Sequence, residues 1–213
     1  MTETSKILTL FSKVFYNTKL NLNDEELSIL LEKIKKYETS NSYEEYAKNH
    51  NLDRDKLVKG SIKQDVLNDF LNLKQLILNE FYNFKNNVLK YEKNDFKITT
   101  SWISKSLKGN RGEYHNHNNC MYSGIFYIQV NENSGGISFE DFSNRRFLLE
   151  NTENNIYNCK EIIINPTKNT LIFFPSEVYH KVLLNNSNID RYAIAFNLMP
   201  IGNIGREDSY FKI

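Results

Sequence analysis

The sequence of 213 residues predicts an α+β fold, and two observations support this prediction. Apolar residues recur at helical spacing up to about residue 95 and at strand spacing after it. Capping signals precede the helical stretches, whereas turn sequences such as NENSGG and NPTKN separate the later apolar runs. We find no repeat or flexible linker. We therefore expect one domain over 1–213, with a mainly helical support region (1–95) and a β-rich core (96–213).

Three helical signals lie in the support region. Asn23 and Glu26 form a capping-box signal that precedes an apolar stripe of Leu27, Leu30, Leu31 and Ile34. Ser42 and Glu45 form a second signal, which predicts a short polar helix. A longer stripe predicts a third helix: Val66, Phe70, Leu73, Ile77, Phe81, Phe84 and Val88. These stripes indicate core packing against one face of the β region.

Seven short runs in the core region are rich in Ile, Phe, Tyr and Val, which favours strands. They read FKITTSWIS, MYSGIFYIQV, GGISFED, KEIIIN, TLIFFPS, HKVLL and RYAIAFNLM. So many short strands in the second half of the chain are typical of a β-sandwich or a barrel.

Composition excludes several classes of protein. The formal net charge of +1 gives no basic footprint for nucleic acid. No apolar run approaches the roughly 18 residues of a membrane span, and the opening residues lack the layout of a signal peptide. Cys120 and Cys159 have no metal or redox spacing, so we expect a reduced, cytoplasmic protein.

Two of the four histidines, His115 and His117, lie one residue apart in EYHNHNNCMYSGIFYI. Residues i and i+2 of a strand point to the same face, so both imidazoles can reach one point. Histidine is the commonest metal ligand, so H-x-H indicates a metal site; a polar loop is the alternative. His180, which follows TLIFFP, is a third candidate ligand or a buried core residue. His50 lies in a polar helical stretch and indicates a surface position.

Arg191 opens the apolar strand RYAIAFN. An arginine in such a strand must pair with an anion or reach solvent. Because a guanidinium binds a carboxylate through two parallel bonds, Arg191 is a candidate carboxylate clamp. An ion pair near Asp190 or with Glu140 is the simpler alternative.

The order of these motifs resembles the 2-oxoglutarate-dependent Fe(II) oxygenases. H-x-H, SGIFYI, SGGISFED, TLIFFPSEVYHKV and the arginine before AIAFN resemble an H-x-H branch common in phages and marine bacteria. The resemblance is densest from Trp102 to Asn197. It implies a double-stranded β-helix (a cupin-like jelly roll) over 96–213, with N-terminal helices packed on one face and iron at an open end.

The resemblance also implies roles for individual residues. The implied Fe(II) ligands, which are the catalytic residues, are His115, His117 and His180. The implied contacts to the co-substrate 2-oxoglutarate are Arg191, Tyr127 and Ser123, and sheet packing is the alternative for the last two. The implied reaction uses O2, hydroxylates an unidentified small-molecule, peptide or protein substrate, and releases succinate and CO2. Halogenation is not expected, because His117 fills the position that a halide needs.

Two departures from the family pattern bear on the site. Most of the superfamily carries Asp or Glu where His117 stands, so the third ligand is either this histidine or a carboxylate from Glu113, Glu140 or Asp141. Many relatives also carry Asn in place of Ser104 and Trp in place of Glu177. Glu177 either influences substrate choice near the mouth of the site or is a surface residue.

Two other functions fit parts of the sequence. A cupin-type metal dioxygenase without 2-oxoglutarate would use H-x-H, but it has no need of Arg191, and the glutamate of its motif is missing here. A non-catalytic β-sandwich that binds a ligand would need neither His180 nor iron. Three questions stay open: the substrate, the oligomeric state, and whether segment 37–60 is a lid or a solvated helix and loop.

Overall fold

The computed structural model describes residues 7, 9, 12–41, 44–91, 93–141, 150, 152–155 and 157–213. The helices are α1 (Asp24–Ile34), α2 (Glu44–Asn49) and α3 (Leu71–Phe84). The strands are β1 (Tyr16–Lys19), β2 (Thr39–Asn41), β3 (Lys59–Ser61), β4 (Asp95–Ser106), β5 (Tyr122–Gln129), β6 (Ile137–Glu140), β7 (Glu161–Ile164), β8 (Thr170–Pro175), β9 (Tyr179–Val182), β10 (Arg191–Ile201), β11 (Asn203–Ile204) and β12 (Phe211–Lys212). Short 3-10 turns span Arg54–Lys56, Val66–Asp69 and Glu207–Ser209, and a π turn spans Lys85–Leu89.

Most strands belong to two antiparallel sheets that pack face to face. The larger sheet has the order β1-β8-β5-β10-β4-β3-β2, and the smaller has the order β7-β6-β9. An isolated antiparallel bridge between His115 and His180 places the H-x-H segment beside β9. The seven predicted strands all form, and the chain has an α+β architecture dominated by sheet.

The central strands of the larger sheet are buried on both faces, which explains why their sequences are continuously apolar. Phe126 of β5 packs in a cluster with the helices, whereas its neighbours Ile125 and Tyr127 pack in a second cluster with the smaller sheet. The strands β8 and β10 alternate in the same way. Because side-chain direction alternates along a strand, each central strand contributes to both apolar layers.

Helices α1 and α3 cover the outer face of the larger sheet. The predicted capping box at the start of α1 is confirmed: the side chain of Asn23 accepts the N–H of Glu26 at 2.9 Å, and the Glu26 carboxylate accepts the N–H of Asn23 at 2.8 Å. In α3, the fully buried Phe81 makes edge-on ring contacts with Phe96 and Phe173 of the sheet. Among the described residues, no helix is long and apolar enough to cross a membrane.

The third predicted helix is shorter than its apolar stripe. Its start is a 3-10 turn over Val66–Asp69, where the hydroxyl of Ser101 accepts the N–H of Leu67 and ties the turn to β4. Its end is the π turn, where the ammonium of Lys85 is buried and donates to nearby main-chain carbonyls. Val88, which the stripe had placed in the core, is 53% exposed.

The described part of the first 95 residues also contains three strands that the sequence did not predict. β1 pairs with β8 at one edge of the larger sheet, and β3 pairs with β4, followed by β2, at the other. Their sequences YNTK, TSN and KGS are short and polar, so they lack the apolar alternation of a strand. Helix α2 forms, but Ser42 of its predicted capping signal lies outside the described residues.

Candidate metal centre

The three histidines that the sequence singled out converge in the structure. One possible ligand nitrogen from each of His115, His117 and His180 lies within 4.8 Å of the other two. The ring centroids of His115 and His180 are 4.3 Å apart, and that of His117 is 5.1 Å from each. Imidazole–metal bonds of about 2 Å require such convergence. In the described part of the chain, no other group of three potential ligands has this geometry.

Main-chain hydrogen bonds place the three histidines. The N–H of His115 donates to the carbonyl of His180 at 3.0 Å, and the N–H of His180 donates back at 2.9 Å. The N–H of His117 donates to the carbonyl of Ser176 at 3.0 Å. The H-x-H segment is therefore not the continuous strand that the sequence indicated. It makes one bridge and then turns, because Asn119 adopts a left-handed conformation with φ of 57°.

Two of the rings are oriented by carbonyl groups. The Nδ1–H of His115 donates to the carbonyl of Glu113 at 2.8 Å, and the Nδ1–H of His180 donates to the carbonyl of Val178 at 3.0 Å. A carbonyl can only accept, so Nδ1 carries the proton and Nε2 is the basic nitrogen. Hydrogen bonds of this kind typically orient histidines that bind metals. The donor set therefore fits a metal bound through Nε2.

The surroundings of the cluster favour neutral rings. Burial lowers the pKa of His115, and it lowers the pKa of His117 to about 4, with a further contribution from the charge of His115. The pKa of His180, which is 4% exposed, lies well below its ordinary value, chiefly through burial and then through repulsion by His115. A neutral imidazole is the form that binds a metal.

No carboxylate belongs to this cluster among the described residues. The carboxylate of Glu113 instead pairs with Arg111 at 3.3 Å. In the smaller sheet, Phe139 lies opposite His180, so the next residue of β6, Glu140, points to the other face. The cluster therefore consists of three imidazoles, and the acid of the family pattern has no counterpart in it among the described residues.

A small cavity adjoins the histidines between the two sheets. Ile125 and Ile137, one from each sheet, form apolar parts of its wall. The ring of Trp102 lies 5.5 Å from the ring of His117, measured between centroids. Val58 also lines the cavity, so segment 37–60 contributes to the wall of the site.

Arg191 is 2% exposed, and its Nη1 donates to the carbonyls of Ser134 at 3.2 Å and Gly135 at 2.6 Å. No carboxylate in the described part of the chain lies within ion-pair distance of it; Asp190 pairs with Lys105 at 3.6 Å. Burial lowers the pKa of the Arg191 guanidinium, but an arginine remains charged in proteins. A buried cation without an anion is costly, so the residue fits the carboxylate of a ligand.

The two other predicted co-substrate contacts differ in their surroundings. Tyr127 is buried beside Arg191, whose Cζ lies 6.0 Å from the tyrosine ring centroid, and burial raises the Tyr127 pKa to about 12. The hydroxyl of Ser123 donates to Oδ1 of Asn197 at 2.8 Å and lies 2.9 Å from the hydroxyl of Ser176. Both contacts to the co-substrate stay predictions.

Residues 100–197 match the family model described as "Putative 2OG-Fe(II) oxygenase", where 2OG is 2-oxoglutarate. The matched region runs from β4 to β10 and includes the three histidines and Arg191. None of the curated proteins compared with the chain matches it.

Solved structures with a similar fold include an oxidoreductase of the 2OG-Fe(II) oxygenase family from Burkholderia pseudomallei, with a TM-score of 0.59 and 10% identity over 88% of this chain and 84% of that one. HygX from Streptomyces hygroscopicus, crystallised with nickel, 2-oxoglutarate and hygromycin B, has a TM-score of 0.59 and 10% identity over 88% and 83%. A prolyl-4-hydroxylase from Pseudomonas putida has a TM-score of 0.50 and 15% identity over 86% and 91%. At these identities, the likeness concerns the fold.

The family match and the fold agree with the chemistry of the site. The matched region contains a cluster of neutral imidazoles that suits Fe(II), together with a buried cation that suits a carboxylate. Over residues 100–197, the chain is therefore similar to the 2-oxoglutarate- and Fe(II)-dependent oxygenases.

Proposed function

We propose that this enzyme hydroxylates its substrate and holds Fe(II) through His115, His117 and His180 at the open end of a double-stranded β-helix. The convergence of the three imidazoles within 4.8 Å carries this proposal. We further propose that it belongs to the H-x-H branch that its sequence resembles, since no carboxylate joins the cluster in the described part of the chain.

Fe(II) bound by His115, His117 and His180 would supply O2 activation. In the overall reaction, one oxygen atom would enter succinate as 2-oxoglutarate loses CO2, and the other would convert a substrate C–H into C–OH. The protein supplies the orientation of the ligands, the binding of the co-substrate and the exclusion of water.

Each of these contributions corresponds to named side chains. The bonds from Nδ1 of His115 and His180 to carbonyl oxygens fix the rings with Nε2 available. The guanidinium of Arg191 binds the distal carboxylate of 2-oxoglutarate, and Tyr127 closes the space beside it. The apolar side chain of Ile125 helps to keep water out of the cavity.

Arg191 distinguishes this function from the two alternatives. A cupin-type dioxygenase without 2-oxoglutarate has no use for a buried cation such as Arg191, which lacks a carboxylate partner within the described ranges. A non-catalytic binding module would have no reason to converge three neutral imidazoles beside it. As for the substrate, HygX was crystallised with hygromycin B, and another structure of the same fold is a prolyl-4-hydroxylase. We therefore propose a small molecule or a peptide.

The test is a spectroscopic titration of Fe(II)-loaded protein without oxygen. Addition of 2-oxoglutarate should produce a visible charge-transfer band, and succinate should not. Admission of O2 should then convert 2-oxoglutarate to succinate. A protein that binds Fe(II) but gives neither the band nor succinate would contradict the proposed function.

A further inference from the structure

The hydroxyl of Ser106, at the end of β4, is fully buried and has no hydrogen-bond partner among the residues that the structure describes. Buried polar groups nearly always have partners, so such a hydroxyl requires an explanation. Two other buried side-chain oxygens in the described part of the chain lack a partner, those of Asn86 and Asn169. Both are amide acceptors, so Ser106 is the one of the three whose unpaired group carries a proton to donate.

Ser106 lies directly opposite Arg191 in the antiparallel pairing of β4 with β10. Side chains of directly paired residues lie on the same face of a sheet, with Cβ atoms about 4.5–5.5 Å apart. An unpaired hydroxyl donor therefore shares one buried patch with a cation that has no carboxylate partner in the described part of the chain. An anion with several acceptor oxygens, such as a carboxylate, satisfies both groups at once.

This patch continues from the metal cavity along the inner faces of the strands. On β4, Ser104 lines the cavity, and Ser106 follows two residues later on the same face. On β5, Ile125 lines the cavity, and Tyr127 follows in the same way. The histidines and the patch around Arg191 therefore lie one after the other along the space between the two sheets.

The positions between these layers carry small side chains. Ala193 of β10 pairs with Ser104 on one side and with Tyr127 on the other. A methyl group and a hydroxymethyl group occupy little of the space between the sheets, which suits the chain of a slender ligand. 2-Oxoglutarate has this form, with its metal-binding 2-oxo acid at one end and a second carboxylate at the other.

We propose that Ser106 binds the co-substrate: its hydroxyl donates a hydrogen bond to the distal carboxylate of 2-oxoglutarate, the carboxylate that Arg191 binds. This inference rests on the proposed function and deepens it. The sequence did not indicate Ser106, because a serine at the end of a strand belongs to no motif. Its role becomes visible only through its pairing with Arg191.

The experiment compares two ligands on Fe(II)-loaded protein without oxygen. 2-Oxopentanoate has the carbon chain of 2-oxoglutarate but no distal carboxylate, so it reports on binding at the metal alone. In Ser106→Ala, we expect the affinity for 2-oxoglutarate to fall about tenfold, as for a lost hydrogen bond to a charged group, and the affinity for 2-oxopentanoate to stay unchanged. The matched control is Ser187→Ala, because Ser187 is also buried but its hydroxyl donates to the carbonyl of Ile189 at 2.8 Å.

A second measurement separates ligand binding from a structural role. Ser106→Ala removes a hydroxyl that has no partner, so the melting temperature of the metal-free protein should not fall, whereas that of Ser187→Ala should. Three results for Ser106→Ala would each overturn the inference but not the proposed function. They are a lower melting temperature, an unchanged affinity for 2-oxoglutarate, and an equal loss of affinity for both ligands. A parent protein that does not bind 2-oxoglutarate would overturn the proposed function as well.

Discussion

His115 and His180 exchange both of their main-chain hydrogen bonds, at 3.0 and 2.9 Å, and their ring centroids lie 4.3 Å apart. The main chain holds this pair, so either side chain can be shortened while the bridge stays in place. Loss of metal in such a variant then reports the loss of a ligand and not the loss of the fold.

The first prediction concerns His180→Ala. We expect the variant to lose Fe(II), because it removes one of three converging imidazoles and leaves no other described ligand to replace it. Its metal-free form should stay folded, since the bridge to His115 uses main-chain atoms. Iron content per chain after loading and gel filtration, together with circular dichroism, tests both expectations. His50→Ala is the control, because His50 is exposed at the end of α2, and it should retain the metal. Equal iron in His180→Ala and the parent would show that the site is wrong.

The second prediction concerns acid stability without metal. Burial lowers the pKa of His117 to about 4 in the folded protein, against about 6.5 in the unfolded chain. Between these pH values the unfolded chain binds protons that the folded protein does not. The free energy of unfolding should therefore be highest above about pH 6.5 and fall as the pH drops toward 4.

Urea titrations across this pH range measure the effect. His117→Gln removes one of the three depressed groups, so its free energy of unfolding should fall less steeply on acidification. A parent protein with the same pH slope as His117→Gln would show that His117 does not contribute.

The sequence was sufficient to predict the central strands and the convergence of the three histidines, because both follow from short, recognisable motifs. The strands β5 and β8 are buried on both faces, so their runs of apolar residues stand out. The spacing of His115 and His117, with His180 after a buried run, indicated one site although the segment is a bridge and a turn.

Long-range pairing explains what the sequence could not show. The polar strand β3 forms because its main chain pairs with β4. This pairing places Val58, the residue before β3, in the wall of the cavity beside the histidines. The role proposed for Ser106 depends on Arg191, which is distant in sequence but directly opposite in the sheet. Such roles depend on the order of the strands in the sheet, which cannot be deduced from single residues.

The third prediction tests whether the early helices support the fold. Phe81 of α3 is fully buried and contacts four rings, those of Phe84, Phe96, Tyr122 and Phe173. Phe81→Ala should lower the free energy of unfolding by about 3–5 kcal/mol, because it removes buried apolar surface and leaves a cavity. Leu76→Ala, on the same helix but 39% exposed, should cost less than about 1 kcal/mol. Similar losses for the two variants in urea titrations would contradict this account of α3.

The fourth prediction concerns the co-substrate clamp. Arg191→Ala should weaken 2-oxoglutarate binding about ten- to a hundredfold, since a buried carboxylate loses a charge-assisted pair of about 1.5–3 kcal/mol. Arg191→Lys should restore only part of this affinity, because an ammonium lacks the planar fork of a guanidinium. Titration of the charge-transfer band measures both variants. If Arg191→Ala binds 2-oxoglutarate as tightly as the parent, the cupin-type alternative is favoured.

The last prediction concerns the histidine that stands where the family pattern has an acid. The main-chain bond from His117 to Ser176, at 3.0 Å, does not depend on the side chain and should survive in His117→Asp. An aspartate at this position should reach the metal, as the acid does in ordinary members of the superfamily. Its negative charge should also strengthen the attraction for Fe(II), so we expect His117→Asp to retain iron.

The comparison that decides this is His117→Asp against His117→Ala, with iron content and 2-oxoglutarate turnover measured on both. We expect the aspartate variant to bind Fe(II) at least about tenfold more tightly than the alanine variant. Residues that contact only the ligands of a metal already change its affinity by that much. Turnover in His117→Asp should differ from that of the parent even at full iron loading, since the charge of the ligands changes the reactivity of the metal.

His115→Asp and His180→Asp should both lose iron, because carbonyl acceptors orient those two positions for an imidazole. If His117→Ala binds iron normally and His117→Asp binds none, then His117 is not a ligand and an acid such as Glu113, Glu140 or Asp141 must supply the third contact.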